Sequence, residues 1–353
     1  MADRLLLGID GGNTKTIGLV ARSDGTIVGA ARSLRGSDIH AVPTDEAIEV
    51  IEGVAAAAIA DAGADLGAIA AAAFSLAGAD WPEDIDLLER RLRVSHRDSV
   101  IVNDAIGALR ATIPHGPGVV IVCGTGAATG ARGPAGTTFH TSFWQEPQGA
   151  RELGVRALRA VYRAELGIGP PTTLTTRILA ATGEPDVESL LHHATARGVA
   201  GRRDPAAYAA ILLDAADDGD AAAREIVRSQ GVELAKTAIA AARRVGIGAD
   251  VPFGLAVTGG VVRHAGQALR DAIVESVRER APLVSVVTPT LEPAAGAVLL
   301  AFDAAGIEVD SGVESQLRES LPPVDLFDTH PAATAASIAS RSTVTPPPTT
   351  PWC

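Results

Sequence analysis

Short apolar runs separated by glycine-rich turns open the chain. Residues 5–9, 17–21 and 27–31 are rich in Ile, Leu, Val and Ala, and short apolar segments of this kind are typical of β-strands. The first turn reads Asp-Gly-Gly-Asn-Thr-Lys over residues 10–15, and Ser23-Asp24-Gly25 forms the second. The pattern predicts an antiparallel β-meander of three strands.

A second segment repeats this arrangement in the middle of the chain. The run VVIVCGTGAATGARG over residues 119–133 has the same order of apolar run, glycine-rich turn containing Thr, and second run as the N-terminal segment. Another apolar run, residues 253–258, also ends in a glycine turn. The similarity predicts a duplicated unit, with one copy in each of two domains. The Pro114-His115-Gly116-Pro117 stretch marks their boundary.

Three longer segments have helical periodicity. The first starts at Thr44, has acidic residues in its first turn and ends at Gly63. The others cover residues 221–245 and 265–282. From about Glu308 the sequence becomes rich in Pro, Ala, Thr and Ser and has too few large apolar residues for a core. We therefore expect residues 308–353 to be disordered or draped on the surface.

Composition and charge limit the class of protein. The chain has 353 residues, enough for two domains, and is 47% hydrophobic but only 3% aromatic. A formal net charge of −12 argues against nucleic acid or an anionic membrane as a partner. No apolar run approaches membrane-spanning length, no signal peptide is expected, and the two cysteines cannot form a disulfide framework. These features predict a cytoplasmic protein.

The first glycine-rich turn is a candidate phosphate-binding site. Gly11 and Gly12 let backbone N–H groups approach an anionic oxygen, and Thr14, Lys15 and Thr16 offer further donors. Asp10 stands at the strand end, where a carboxylate can hold a metal ion. No segment has the P-loop spacing, and residues 124–130 lack the dinucleotide-binding spacing. The alternative is a tight turn that binds nothing.

Three more segments carry candidate chemistry. Asn103-Asp104 joins an apolar run to a helical pattern, so Asp104 is either a catalytic acid at a strand end or a helix N-cap. Gly124-Thr125-Gly126 offers backbone donors and a hydroxyl to a second phosphate. Gly259-Gly260 follows an apolar run and would let a flat nucleoside lie against the backbone.

Taken in order, these four segments resemble the phosphate-1, catalytic, phosphate-2 and adenosine segments of the sugar kinase, heat-shock protein and actin superfamily. The closest resemblance is to the N-acetylglucosamine kinase branch, the BadF/BadG/BcrA/BcrD-type ATPases, through residues 10–15, 75–80 and 103–105. The similarity covers roughly residues 4 to 306.

The resemblance implies an α/β protein of two ribonuclease-H-like domains with ATP and Mg²⁺ in the cleft between them. The domains would cover residues 1–113 and 114–292, and a helix over 293–307 would return to the first domain. Asp104 would be the general base, and Asp10 and Asp104 would hold the metal. The relatives also imply a homodimer. The nucleotide would contact the residues of the glycine-rich turns, namely Gly11, Gly12, Asn13, Thr14, Lys15, Gly124, Thr125, Gly126, Gly259 and Gly260.

The acceptor side departs from the pattern of the relatives. The usual Ser/Thr-Asn pair is Ser37-Asp38 here, the usual Asp-Glu pair is Pro147-Gln148, and Ser142-Phe143-Trp144-Gln145 replaces a Gly-Trp-Gly run. By resemblance, the acceptor would contact Ser37, Asp38, Ala77, Gly78, Asp104 and Gln148. Asp80 or Trp81 could border the same pocket, although the stretch from Trp81 also suits a helix start.

We therefore expect an ATP-dependent kinase whose acceptor is a hydroxyl of a sugar, amino sugar or cyclitol. Two alternatives remain open at this stage. One is a non-kinase ATPase that regulates a partner protein, and the other is a degenerate relative that binds sugar without turnover. An iron–sulfur cluster, which some relatives carry, is not expected, because Cys123 and Cys353 are the only cysteines.

Overall fold

Two mixed β-sheets of five strands each organise the protein in a computed structural model that describes residues 4–92, 99–145, 148–195 and 203–327. The strands of the first sheet are β1 (Leu5–Gly11), β2 (Thr16–Arg22), β3 (Ile27–Ser33), β4 (Ile69–Leu76) and β5 (Ser99–Asn103). Those of the second are β6 (Gly118–Cys123), β7 (Ala127–Arg132), β8 (Thr138–His140), β9 (Phe253–Thr258) and β10 (Val284–Val287).

The two sheets have the same topology. The strand order is β3-β2-β1-β4-β5 in the first and, read in the same sense, β8-β7-β6-β9-β10 in the second. Each begins with an antiparallel meander, and its first strand then pairs in parallel with the fourth. The predicted meander and the predicted duplication are both confirmed, as is the α/β fold with two domains.

Eleven helices in the described ranges cover these sheets. They are α1 (Thr44–Asp61), α2 (Pro82–Leu92), α3 (Asp104–Thr112), α4 (Ala150–Glu165), α5 (Leu174–Thr182), α6 (Val187–Thr195), α7 (Ala209–Asp217), α8 (Ala221–Arg244), α9 (Ala268–Arg280), α10 (Pro293–Ala304) and α11 (Ser311–Glu319). The three helices predicted from periodicity correspond to α1, α8 and α9. No helix in the described parts of the chain is long and apolar enough to cross a membrane.

Helices α3 and α10 reach the first sheet through unusually close backbone contacts. A Cβ added at Gly8 of β1 would lie 2.3 Å from the backbone nitrogen of Val298 in α10. One added at Gly296 of α10 would lie 2.0 Å from the carbonyl oxygen of Gly107 in α3. Glycine is required at such approaches, since any side chain would displace a helix. The packing fixes α3, and with it Asp104, against the strand that carries Asp10.

The expectation of disorder from residue 308 is wrong for residues 308–327. This segment contains α11, and Val309, Leu317 and Phe327 are buried in the apolar cluster that α10 forms with the first sheet. The backbone N–H of Ile27 also donates to Ser320 Oγ at 2.9 Å. Three large apolar side chains placed at one seam are enough to dock a segment whose average composition is polar. Residues 328–353 lie outside the described residues.

Candidate active site

The turn between β1 and β2, which the sequence predicts to bind phosphate, is a tight hairpin that is hydrogen-bonded to its neighbours. The Gly12 N–H donates to the Lys15 carbonyl at 2.9 Å, which closes the turn. The Gly12 carbonyl accepts from the Ser37 N–H at 3.0 Å, and the Gly11 carbonyl accepts from the Ala77 N–H at 2.8 Å. Asn13 and Thr14 are exposed at its tip. The turn is thus held rigidly while its tip stays accessible to a ligand.

Asp10 and Asp104 lie at the same edge of the first sheet. Asp10 of β1 is in register with Ser75 of β4, and Ser75 with Val102 of β5, so the three parallel strands end together. Asp104 follows directly as the first residue of α3. In open α/β sheets this carboxyl edge is where ligands bind.

Asp104 is not the N-cap of its helix. The cap is Asn103, whose Oδ1 accepts from the Ala105 N–H at 3.0 Å. The N-cap alternative for Asp104 is therefore wrong, because the side chain of Asn103 already accepts the hydrogen bond from the Ala105 N–H. The Asp104 carboxyl is left half-buried at the cleft.

Both carboxyl groups of this pair have raised pKa values, mainly because they are buried. Burial, together with the nearby charges of Asp10, Asp80 and Asp38, raises the pKa of Asp104 to about 7. Burial also raises the pKa of Asp10 to about 6; the charge of Lys15 opposes this shift and that of Glu292 adds to it. Strongly perturbed carboxyls in a cleft are typical of functional sites.

The two carboxylates suit a magnesium ion that arrives with a nucleotide. A bound cation would relieve the repulsion between Asp10 and Asp104, and Mg²⁺ is commonly held by one or two carboxylates together with substrate phosphates and water. Among the described residues there is no cluster of three or more His, Cys, Asp or Glu side chains arranged to hold a metal alone. The donor set therefore fits Mg²⁺ bound jointly with phosphate.

The second phosphate turn and the adenosine turn meet at the carboxyl ends of β6 and β9. Gly124 donates to the Gly126 carbonyl at 2.8 Å, and the Gly124 and Thr125 carbonyls accept from the first two N–H groups of α4 at 2.8 and 3.2 Å. Gly259 has φ of 104°, and a Cβ there would lie 2.4 Å from the Cys123 carbonyl oxygen. Gly260 faces open space, with nothing within 4 Å of a Cβ. These turns together leave a backbone-lined surface.

The predicted acceptor residues of the first domain form one small cluster. Ser37 is buried, and its Oγ accepts from Thr16 Oγ1 at 2.9 Å. Asp38 Oδ1 accepts from the His40 N–H at 2.8 Å, and a Cβ at Gly78 would lie 2.9 Å from that same oxygen. Ala77 binds the Gly11 carbonyl, as above. The cluster therefore adjoins the first phosphate turn.

Asn103 connects the acceptor cluster to the second domain. Its Nδ2 donates to Asp80 Oδ1 at 2.8 Å and to Ser142 Oγ at 3.2 Å. Burial, with Asp38 nearby, raises the pKa of Asp80. The structure thus places Asp80 beside Asn103, the residue before Asp104, and Asn103 joins the first domain to Ser142 of the second.

Gln148 is buried in the second domain. Its Oε1 accepts from Gln145 Nε2 at 2.9 Å, and its carbonyl accepts from Gln230 Nε2 at 2.6 Å. Gln145 in turn accepts from Thr129 and Thr141. The described contacts of Gln148 are therefore with its own domain, and Pro147 lies outside the described residues.

Several residues of the site were not expected from the sequence. Glu292, which precedes α10, raises the pKa of Asp10 and pairs with Arg263 at 3.2 Å. Lys15 Nζ donates to the carbonyl of Phe327, so the C-terminal segment reaches the first phosphate turn. Neither the proximity of Glu292 to Asp10 nor the bond of Lys15 to Phe327 has a local sequence signal, because the paired residues are far apart in the chain, 312 positions for the second pair. The local signal at this position is Pro293, which is typical of the first turn of a helix and marks Glu292 as the residue before α10.

Comparison with known proteins shows the family of the chain. The family model of the BadF/BadG/BcrA/BcrD ATPases matches residues 7–301. The chain belongs to this ATPase family. The matched range contains both phosphate turns, Asp104 and the adenosine turn, and it ends before α11.

Two similar proteins and one similar solved structure carry the names of sugar kinases. N-acetyl-D-glucosamine kinase of Dictyostelium discoideum is 26% identical over 318 residues, covering 86% of this chain and 99% of the relative. N-acetylmuramic acid/N-acetylglucosamine kinase of Clostridium acetobutylicum is 24% identical, with coverage of 84% and 98%. A Chromobacterium violaceum structure, provisionally described as an N-acetylglucosamine kinase, has a TM-score of 0.66 at 25% identity and covers 85% and 99%.

A glucokinase of another family shares the fold. The ROK family glucokinase from Streptomyces griseus, solved with glucose and AMPPNP, superposes with a TM-score of 0.53 at 19% identity, covering 84% of this chain and 98% of that one. At this identity the likeness concerns the fold alone. It places the chain among the two-domain actin-like ATPase and sugar kinase folds.

Proposed function

We propose that the protein is an ATP-dependent kinase that transfers the γ-phosphoryl group to a hydroxyl of a sugar, amino sugar or cyclitol. The observation that carries this proposal is the position of Asp104, a carboxyl with a raised pKa at the strand edge beside the first phosphate turn. Family membership and the kinase relatives support it. The domain limits 1–113, 114–292 and 293–307 are part of the same proposal.

Asp104 would act as the general base. In the reaction the acceptor oxygen forms a bond to the γ-phosphorus, the bond from that phosphorus to the bridging oxygen breaks, and ADP leaves. The hydroxyl proton passes to the ionised Asp104 carboxylate. A positioned base of this kind is worth ~10²–10⁴-fold in rate. Asn103 positions the Asp104 backbone, because its cap bond fixes the start of α3.

The remaining acceleration would come from the glycine-rich turns. Backbone N–H groups at the tips of the two turns, those of Asn13, Thr14, Thr125 and Gly126, would bind phosphate oxygens together with the ammonium of Lys15, whereas the Gly12 and Gly124 N–H groups close their own turns. Mg²⁺ held by Asp10 and Asp104 would neutralise phosphate charge. Gly259 and Gly260 would accept the adenosine against bare backbone, since no side chain intervenes.

A screen of acceptors with γ-labelled ATP tests the proposal. The purified protein is incubated with Mg²⁺, labelled ATP and single sugars, amino sugars or cyclitols, and label in the small molecule is measured. Transfer to one acceptor class supports the kinase. ATP hydrolysis without transfer to any acceptor would contradict it and favour the regulatory ATPase.

The pH dependence of transfer should follow Asp104. The base works only when ionised, so a pKa of about 7 predicts that kcat/KM for the acceptor falls as the pH drops below about 7. Below about pH 6 the fall should steepen, because Asp10 then also gains a proton. Initial rates between pH 5 and 9 measure this. A flat profile across that range would contradict the assignment of Asp104 as base.

We further propose that the Asp38 carboxylate suits a cationic acceptor. Its Oδ1 is used by the His40 N–H, a bond that an asparagine could also accept. An aspartate at this position therefore differs from an asparagine only at the second terminal atom of the side chain. The second carboxylate oxygen accepts a hydrogen bond, whereas the amide nitrogen of an asparagine would donate one. Asp38 also adds to the repulsion that raises the pKa of Asp80 and of Asp104. An ammonium group on the acceptor would stabilise this negative pocket, whereas neutral hydroxyl donors are the simpler alternative.

We accordingly expect an aminated sugar or aminocyclitol to be phosphorylated better than its N-acetylated form. Substitution Asp38→Asn should reverse or reduce that preference while leaving the KM for ATP within about 3-fold, because the local turn is kept. Comparing kcat/KM for glucosamine, N-acetylglucosamine and glucose in both proteins measures it. If N-acetylglucosamine is preferred by more than ~10-fold in the unsubstituted protein, about 1.4 kcal/mol, the cationic acceptor is excluded.

A further inference from the structure

Exposed aromatic side chains cluster at one place in a chain that has few aromatic residues. Aromatic residues make up 3% of the sequence, with three tryptophans in total. Trp81, Phe143 and Trp144 are 39%, 57% and 69% exposed, and Trp81 and Phe143 stand nearly parallel with ring centroids 6.2 Å apart. Large aromatic rings left in water at one location are a mark of a binding surface. We call these three residues the aromatic rim.

The rim joins the two domains. Trp81 follows β4 in the first domain, whereas Phe143 and Trp144 belong to a short 3-10 turn after β8 in the second. The edge of the His40 ring, also in the first domain, meets Phe143 at 5.1 Å between centroids. Arg244 lies 5.9 Å from the Trp144 ring centroid. The rim therefore spans the mouth of the cleft.

Backbone strain at Ser142 indicates that the rim is held in place. Its φ is 31°, and among the described residues it is the one non-glycine residue with positive φ. Its hydroxyl compensates by bonding His140 Nδ1 at 2.6 Å and Asn103 Nδ2 at 3.2 Å. Strain of this kind persists only where surrounding contacts enforce it, and it clusters at ligand sites.

The rim is continuous with the acceptor pocket. Ser142 is adjacent to Phe143, and its hydrogen-bond partner Asn103 is adjacent to Asp104. Asp80, which accepts from Asn103 at 2.8 Å, is adjacent to Trp81. Two polar residues of the pocket, Asp80 and Ser142, are thus each followed directly in the chain by a residue of the aromatic rim.

From this arrangement we infer that the acceptor carries a second ring beside the one that is phosphorylated, and that Trp81 and Phe143 bind it. This inference rests on the proposed kinase function and specifies its substrate class: a disaccharide or a glycoside with a ring-shaped aglycone. Carboxylates and an amide at the base bind the polar hydroxyls of the first ring. The aromatic faces at the mouth offer apolar contact to the less polar face of a second ring.

Direct binding and turnover together test the inference. The probes are N-acetylglucosamine and glucosamine, their β-1,4-linked disaccharides, and their 4-nitrophenyl β-glycosides. Binding is measured by calorimetry without ATP, and turnover by label transfer. We expect the two-ring ligands to bind and react at least ~10-fold better than the single-ring ones, about 1.4 kcal/mol.

Phe143→Ala and Trp81→Ala should each remove most of that advantage. The single-ring ligands and the KM for ATP should change by less than about 3-fold. Leu166→Ala is the control, because Leu166 is also a large exposed apolar residue (71%) and lies just after the C-terminal end of α4. The control should leave all ligands unaffected, and thermal melting verifies that each variant is folded.

Three results would overturn the inference. The first is equal binding of one-ring and two-ring ligands, and the second is an equal loss for all ligands in the variants, which would make the rim a contact between domains only. The third is a change in oligomeric state of Phe143→Ala on light scattering, which would assign the rim to a second copy of the chain. Because binding is measured without turnover, a protein that binds two-ring ligands but transfers no phosphoryl group would contradict the kinase proposal alone.

Discussion

Replacing Asp104 by asparagine should lower kcat by at least ~10² while changing ATP affinity little. The substitution keeps the size and polarity of the side chain but removes the group that accepts the proton. The helix start should persist, because the cap is provided by Asn103 rather than by Asp104. Single-turnover transfer and nucleotide titration of the purified variant give the two quantities.

The matched control is Asp10→Asn, at the other carboxyl of the pair. This change should mainly raise the Mg²⁺ concentration needed for half-maximal activity, since Asp10 is proposed to hold the metal and not to accept the proton. Removing either carboxylate should also lower the pKa of the other, because their charges repel. Turnover of Asp104→Asn within a few-fold of the unsubstituted protein would exclude Asp104 as the base.

The parts of this fold that the sequence predicted are those with local signals. Strands β1, β2 and β6 are short apolar runs, and the glycines at residues 11–12 and 124–126 mark their turns. The duplication was also recognisable, since both copies place the glycine-rich turn after the first strand. Asp104 could be proposed because an acid between a strand and a helix is itself a local pattern.

The remaining features depend on contacts between distant residues. The choice between base and cap at Asp104 required the position of the Asn103 side chain, which the sequence does not give. The pKa of Asp10 is raised mainly by burial in the folded protein, with Glu292 adding to the shift, and the rim depends on Trp81 meeting Phe143 across two domains. Ser142 has a positive φ at a residue type that rarely adopts it, so no turn propensity indicated its conformation.

The C-terminal segment shows most clearly how composition can mislead. Residues 308–327 are polar on average, but Val309, Leu317 and Phe327 point at one apolar seam of the first domain. The seam is formed by β1, β2 and α10, so it exists only once the sheet has folded. Helix α11 is short, and its Asp310 cap, which accepts from the Val313 N–H at 2.9 Å, defines its start. Periodicity over nine residues was too brief to predict it.

Removing this segment should therefore destabilise the protein, contrary to what its composition indicates. Leu317 is fully buried, and Leu317→Ala should lower the free energy of unfolding by about 2–5 kcal/mol. At ~2–4 °C per kcal/mol, the melting temperature should fall by at least ~4 °C. A protein ending at Ile307 should lose more, because it also lacks Val309, Phe327 and the Ser320 bond to β3. Differential scanning calorimetry measures both.

Arg318→Ala is the control for Leu317→Ala, since Arg318 is exposed on the same helix and its loss should leave the melting temperature within about 1 °C.

A second readout concerns the phosphate turn. Lys15 donates to the Phe327 carbonyl, so a protein ending at Ile307 should leave its ammonium group without this fixed partner and raise the KM for ATP. Leu317→Ala keeps Phe327 in the protein, so it should raise the KM for ATP less than the truncation does. An unchanged melting temperature in the truncated protein would mean that the buried side chains of this segment contribute no net stability, and that the first sheet is complete without it.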